Sequence, residues 1–562
     1  MVGYHAFVAA VAASACTYAS LTSASVAKNI TLPVVDLGYQ RHQGSFNETG
    51  NFYRFDNIRY AAPPVNDLRF KFPQAPSTDR SILHTGEGEA TCPQSYPTWA
   101  SAAQVLAPLY LAGQRVFNET EFPTPSIDEL AQSIAVPGSS EDCLFLDVIV
   151  PKKVFYSNTT HPVIVWIHGG GYISGSKNQF QPAGIVERSQ RNGADGIIFV
   201  SINYRLGALG WTSGPALQSQ NGTANLGLHD QRFALEWVQN NIHLFGGDPH
   251  NVTAMGESAG AGSIMYQIAA YGGLNGSVPF KRAIIQSPGF FPIQSSLTQD
   301  NAFASFLDAL NVSTLAEANT KSSSEIQMAN IRVVADVPFG TSGGFGPAVD
   351  GSFNPANPRQ LLLNGQYDKN VEIMVGTNAL EGVLFVPYYI QNNTAFENYV
   401  LSTFPVLGGY PDALSYCLDV LYPPTFDGSH GYNTQIERGV KFASDWLIYI
   451  NSFSLSTAQN NHTHLYHFDV YPALHGSDLA YTFYNGGGQT TAGVSNVTIA
   501  YALQDYILAY VKTGNPNAVD LPDFPLYGPS AQALRVSSEG INEIQDPAAN
   551  VRSSWFQKAF YM

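Results

Sequence analysis

The chain has 562 residues with 44% apolar side chains, ample for a large core and too apolar for an intrinsically disordered protein. Its net charge of −16, from 27 basic against 43 acidic residues, repels phosphate backbones. No Lys/Arg stripe offsets that charge, so nucleic-acid binding is excluded as a function class. Prolines and glycines are scattered, and no low-complexity tract or fixed-period repeat breaks the chain. The expectation is a single α/β unit over residues 28–562 with long insertions.

From the N-terminus, residues 1–27 carry an apolar stretch, Ala6–Ala15, followed by small residues. That pattern reads as a secretory signal peptide cleaved between 15 and 27, too short to cross a membrane, and predicts an extracellular protein. Asn-X-Ser/Thr sequons at Asn29, Asn47, Asn118, Asn158, Asn221, Asn275, Asn311, Asn392, Asn461 and Asn496 support export with N-linked glycans. A further match at Asn251 lies beside an expected buried strand. Cys16 leaves with the signal, so Cys92, Cys143 and Cys417 allow one disulfide and one free thiol. No CxxC spacing or His/Cys cluster has the look of a metal site, and no metal or organic cofactor is expected.

Five short apolar runs read as buried parallel strands: Pro162–Ile167, Gly196–Asn203, Arg282–Gln286, Val371–Val375 and Leu465–Val470. Helical patterns at Asp230–Ile242 and Ile499–Val511 alternate with them, which predicts a mainly parallel sheet covered on both faces. In such sheets the residues just after each strand form the site. After the first run comes His168-Gly169-Gly170-Gly171. Such a turn exposes backbone N–H groups and lets a substrate approach them, as an oxyanion hole requires; no Lys-Ser/Thr follows, as a phosphate-binding loop would need. After a strand-like run ending at Met255 comes Gly256-Glu257-Ser258-Ala259-Gly260, then an Ala/Gly-rich helix start. A serine on so tight a turn, with glycines where backbones meet, is the pattern of a nucleophile elbow.

With these motifs the sequence resembles the type-B carboxylesterase family of fungal lipases, carboxylesterases and cholinesterases, over nearly the whole mature chain. Ordered landmarks carry the resemblance: Asn57–Phe70, Glu141–Val150, Asn203–Gly207, Asn225–Trp237, Phe245–Gly260, Pro347–Gly351, Gly376–Gly382, His475–Asp478 and Thr513–Asn517. Ala254 and Phe145 depart slightly from the family pattern, away from the chemistry. The resemblance implies an α/β-hydrolase fold with Ser258 as nucleophile, Glu381 as triad acid and His475 as general base. It also implies oxyanion donors at Gly170, Gly171 and Ala259, and a Cys92–Cys143 disulfide closing a loop beside the mouth of the site, with Cys417 free.

The residue chemistry is consistent with this: a serine hydroxyl needs an imidazole to take its proton, and the imidazole needs an anion on its far nitrogen. Asp350, Asp469 and Asp478 are rivals for the acid, and His168, His462, His464 and His467 compete with His475. The apolar segment Trp99–Gly113, with Pro108 expected to joint it, reads as a lid or acyl-pocket wall and equally as core packing. The function expected is hydrolysis of small-molecule or lipid esters through an acyl-enzyme, with transient contact with a lipid interface left open. Rival readings are an inactive binding or adhesion protein of the same fold, and an amidase or thioesterase using the same triad.

Overall fold

The computed structural model describes residues 32–133, 138–291, 293, 295–459, 462–487 and 493–559. The expected signal peptide and the sequons at Asn29 and Asn461 lie outside them. An eleven-stranded sheet organises the described residues. In chain order its strands are β1 (Ser45–Asn47), β2 (Phe52–Arg59), β3 (Phe145–Pro151), β4 (His161–Ile167) and β5 (Ile198–Ile202). They continue with β6 (Gly247–Glu257), β7 (Arg282–Gln286), β8 (Glu372–Asn378), β9 (His464–Asp469), β10 (Gln532–Ser537) and β11 (Gly540–Gln545). The spatial order is β1-β2-β3-β5-β4-β6-β7-β8-β9-β10-β11. From β5 through β10 neighbouring strands run parallel; the pairs at both edges are antiparallel.

The centre of the sheet explains why its strands read as continuous apolar runs. Along β4, Val163, Val165 and Ile167 join the core on one face, while Ile164 and Trp166 join the core on the other. Likewise Ala283 and Ile285 of β7 oppose Ile284. Alternate side chains point to opposite faces, and both faces are covered, so most positions are apolar. The helices Leu226–Asn241 and Ala259–Ala269 cover one face, and Val497–Thr513 covers the other. Each large side chain buried this way contributes about 1.5–3 kcal/mol.

The register brings the carboxyl ends of the central strands level. Ile167 of β4 pairs with Gly256 of β6, Glu257 with Gln286 of β7, and Gln286 with Gly376 of β8. Ser258 therefore follows β6 at the same edge where Glu381 follows β8 and His475 follows β9. A backbone hydrogen bond from Leu380 N–H to the Ala473 carbonyl, 2.8 Å, ties the last two loops together. Among the described residues no helix is long and apolar enough to cross a membrane.

Candidate active site

Ser258 sits between β6 and the helix Ala259–Ala269 with φ 55° and ψ −121°, a strained conformation for a residue with a side chain. The flanking glycines are required by contact. A Cβ on Gly260 would lie 2.0 Å from the Ile167 carbonyl oxygen, and one on Gly256 would lie 2.8 Å from the Gly260 carbonyl carbon. The elbow can form only where the helix start packs directly on β4 and β6.

Three loops converge on this serine. His475 Nε2 lies 2.8 Å from Ser258 Oγ, and His475 Nδ1 lies 2.6 Å from Glu381 Oε2. A carboxylate only accepts, so Nδ1 carries the proton it donates to Glu381, and in the neutral ring Nε2 accepts from the serine hydroxyl. Glu381 is fully buried and its other oxygen is satisfied by Ser287 Oγ at 2.7 Å and the Asn378 N–H at 2.6 Å. Asn378 Nδ2 in turn donates to Ser287 Oγ, 3.0 Å, and to Asp478 Oδ1, 3.1 Å.

The glycine turn after β4 packs beside the serine: a Cβ on Gly169 would stand 3.0 Å from Ser258 Cβ. Gly170 and Gly171 take φ 104° and 63°, values that an L side chain resists. Above Gly171 an added Cβ would meet only the Ile173 side chain, at 3.7 Å, so the turn is open to an approaching ligand. The Ala259 N–H opens a helix, one of the donors that have no intrahelical partner. Gly170 and Gly171 thus follow the glycine that meets the serine, and Ala259 follows the serine on the elbow.

A second carboxylate was not anticipated from sequence. Glu257 Oε1 lies 3.3 Å from His475 Nε2, the same nitrogen that faces the serine. Burial pushes the Glu257 carboxyl up to about 8. For His475 burial acts downward, but the charges of Glu257 and Glu381 outweigh it and hold the imidazole up, at about 9.

A family model described as the carboxylesterase family matches residues 33–551. The chain belongs to that family. Carboxylesterase patB of Penicillium expansum is 41% identical over 532 residues, covering 91% of this chain and 93% of that protein. Lipase 2 of Geotrichum candidum is 36% identical over 360 residues, 61% of this chain and 62% of that one. The crystal structure of Aspergillus niger EstA matches with a TM-score of 0.75 at 26% identity, covering 94% of this chain and 98% of that one. The expected α/β-hydrolase fold and enzyme class are both found: the chain is a carboxylic ester hydrolase.

Within this carboxylesterase His462 is exposed and the other rival residues are engaged elsewhere. Asp350 accepts from Asn225 Nδ2 at 2.7 Å, and Asp469 pairs with Arg535 at 2.7 Å. Asp478 accepts from Tyr466 OH at 2.6 Å and reaches Glu381 only through Asn378. His168 stacks on Tyr204, His464 meets the Pro525 carbonyl, and His467 meets Thr377 Oγ1. Cys92 and Cys143 form a disulfide, and Cys417 is free and buried.

The apolar segment differs from the jointed flap expected. Thr98–Leu111 is a continuous helix that runs through Pro108. Pro108 lies in its last turn, where one backbone bond is lost, and the buried face of Ala102, Ala103, Leu106, Ala107 and Tyr110 holds it in place. That face packs in one cluster with Val383 and Val386, beside the turn bearing Glu381. Its first residues are pinned by Thr98 Oγ1 to the Ala335 carbonyl, 3.0 Å, and Trp99 Nε1 to the Thr341 carbonyl, 3.2 Å. Trp99 begins a half-buried aromatic rim: it lies 5.4 Å from Phe339 and 6.4 Å from Phe385, whose ring meets His475 edge-on at 5.1 Å.

Proposed function

We propose that this carboxylesterase is a secreted serine esterase that works through an acyl-enzyme on Ser258. The observation that carries the reading is the relay from Ser258 Oγ to His475 at 2.8 Å and on to Glu381 at 2.6 Å. Ser258 Oγ attacks the ester carbonyl carbon while His475 Nε2 takes its proton, and Glu381 stabilises the imidazolium that forms. The negative charge gathers on the carbonyl oxygen, where the N–H groups of Gly170, Gly171 and Ala259 act as donors. Loss of one such donor costs about 3–4 kcal/mol in comparable sites. The tetrahedral intermediate collapses as His475 returns the proton to the leaving alcohol. Water then repeats the sequence on the acyl-enzyme, releasing the acid and restoring the serine. Ser287, Asn378 and Asp478 position Glu381.

Export is supported by the signal-like N-terminus and by exposed sequons at Asn118, Asn158, Asn221, Asn275, Asn311 and Asn392. The helix Thr98–Leu111 acts as a fixed wall of the site mouth, so substrate is taken from solution without opening a lid at a lipid interface. A burst of p-nitrophenol equal to the enzyme concentration, followed by slower turnover, is the expected pre-steady-state signature. A linear trace, together with full activity in Ser258→Ala, would overturn the reading.

A further inference from the structure

The space beside Ser258 Oγ is unequal on its different sides. The glycine turn and His475 stand on two sides of the serine. A third side is bounded by Gly289, whose N–H donates to the Ser258 carbonyl at 3.0 Å. A Cβ built on Gly289 would stand 3.7 Å from Ser258 Oγ and 3.1 Å from Ile448 Cδ1. Such an atom would already crowd Ile448, so the Ile448 Cδ1 methyl stands against the Gly289 side of the serine.

Ile448 is not free to withdraw. It lies in a π-helical turn, Asp445–Tyr449, between the helices Gln435–Ser444 and Ile450–Ala458. The extra residue of such a turn re-aims the side chains it carries, at the cost of a helical bond. Here the turn is fastened on every side. Asp445, fully buried, accepts from Tyr422 OH at 2.9 Å and Lys441 Nζ at 2.7 Å and forms an ion pair with Arg552 at 2.8 Å. Tyr449 OH donates to the Asn378 carbonyl at 2.8 Å, next to the Glu381 loop, and Asn451 Nδ2 donates to the Pro288 carbonyl at 2.9 Å, next to Gly289. These bonds clamp the turn to both loops that flank Ile448.

We infer that Ile448, clamped onto Gly289 by this π-turn, closes the acyl side of the site, so that the enzyme prefers esters of short acids such as acetate and propionate. The inference rests on Ser258 being the acylated residue. A pocket wall discriminates one methylene by about 10- to 200-fold at best, which sets the scale of the test.

The test is kcat/KM on p-nitrophenyl acetate, butyrate and octanoate, with Ile448→Val, Ile448→Ala and Gly289→Ala beside the wild type. Ile448→Val removes only the contacting methyl and guards against a larger variant that fails to fold. The wild type should favour acetate over octanoate by at least about tenfold. Both Ile448 variants should raise the octanoate-to-acetate ratio by about tenfold or more, and Gly289→Ala should lower the butyrate-to-acetate ratio. A wild-type preference for octanoate, or an unchanged ratio in Ile448→Val that still labels with a fluorophosphonate, would overturn the inference while leaving the esterase reading intact. Fluorophosphonate labelling at a serine other than Ser258 would overturn both.

Discussion

Replacing Glu257 by Gln isolates the carboxylate that sequence reading passed over. Its Oε1 lies 3.3 Å from His475 Nε2 with both side chains nearly buried. At that distance an anion favours the imidazolium by about 4–5 kcal/mol at an effective dielectric constant of 20. Burial keeps the Glu257 carboxyl largely protonated up to about 8, so only part of that attraction acts near neutral pH. A net effect of about 1.5–3 kcal/mol corresponds to about one to two pH units. The sign follows from the chemistry. His475 must be neutral to take the serine proton, and its imidazole is held up at about 9 partly by Glu257. Activity is therefore lost as pH falls through the His475 value, and removing the anion lowers that value. The acidic limb of kcat/KM for p-nitrophenyl acetate should move about one to two pH units downward in Glu257→Gln, so the variant keeps activity at lower pH than the wild type. A limb that stays in place or moves upward would refute the reasoning.

Glu381→Gln should lower kcat by about a thousand- to ten-thousand-fold through loss of the correct tautomer, whereas Asp478→Asn, at a residue that reaches Glu381 only through Asn378, should cost far less; steady-state kinetics of both variants decides the order. The Cys92–Cys143 bridge spans 51 positions, so replacing both cysteines with Ser should lower unfolding free energy by about 4 kcal/mol or somewhat less, read by denaturant melts. Cys417, whose thiol burial pushes up to about 12, should resist thiol reagents in the native protein and react once unfolded. Leu109→Ser and Leu111→Ser should leave the chain-length profile unchanged, and activity should not jump when a triacylglycerol substrate forms an emulsion; such a jump would restore the lid.

The parts of the fold legible in sequence were those where both faces of the sheet are buried. Strands β4, β5, β7, β8 and β9 appear as apolar runs because no position in them can be polar without cost. The outer strands carry no such mark. In β11 only half-buried and exposed residues occur, and β2 mixes buried with half-buried positions around a register shift between Phe55 and Ile58, so neither reads as a continuous apolar run. The elbow and the glycine turn were legible because their backbone contacts admit only glycine. What surrounds them was not. Ser287 meets Glu381 across 94 positions of chain, and the π-turn at Asp445–Tyr449 is fixed by Tyr422 and Arg552 from other elements, with no local signature. Pro108 misled for the same reason, since packing of the helix face outweighs the single backbone bond it removes.

The most direct test of the account is where a fluorophosphonate attaches. Tryptic mapping of the labelled protein should place the adduct on Ser258 alone, with loss of esterase activity in proportion to labelling and no adduct in Ser258→Ala. Labelling at another serine, or an unlabelled Ser258 in fully inhibited enzyme, would contradict it.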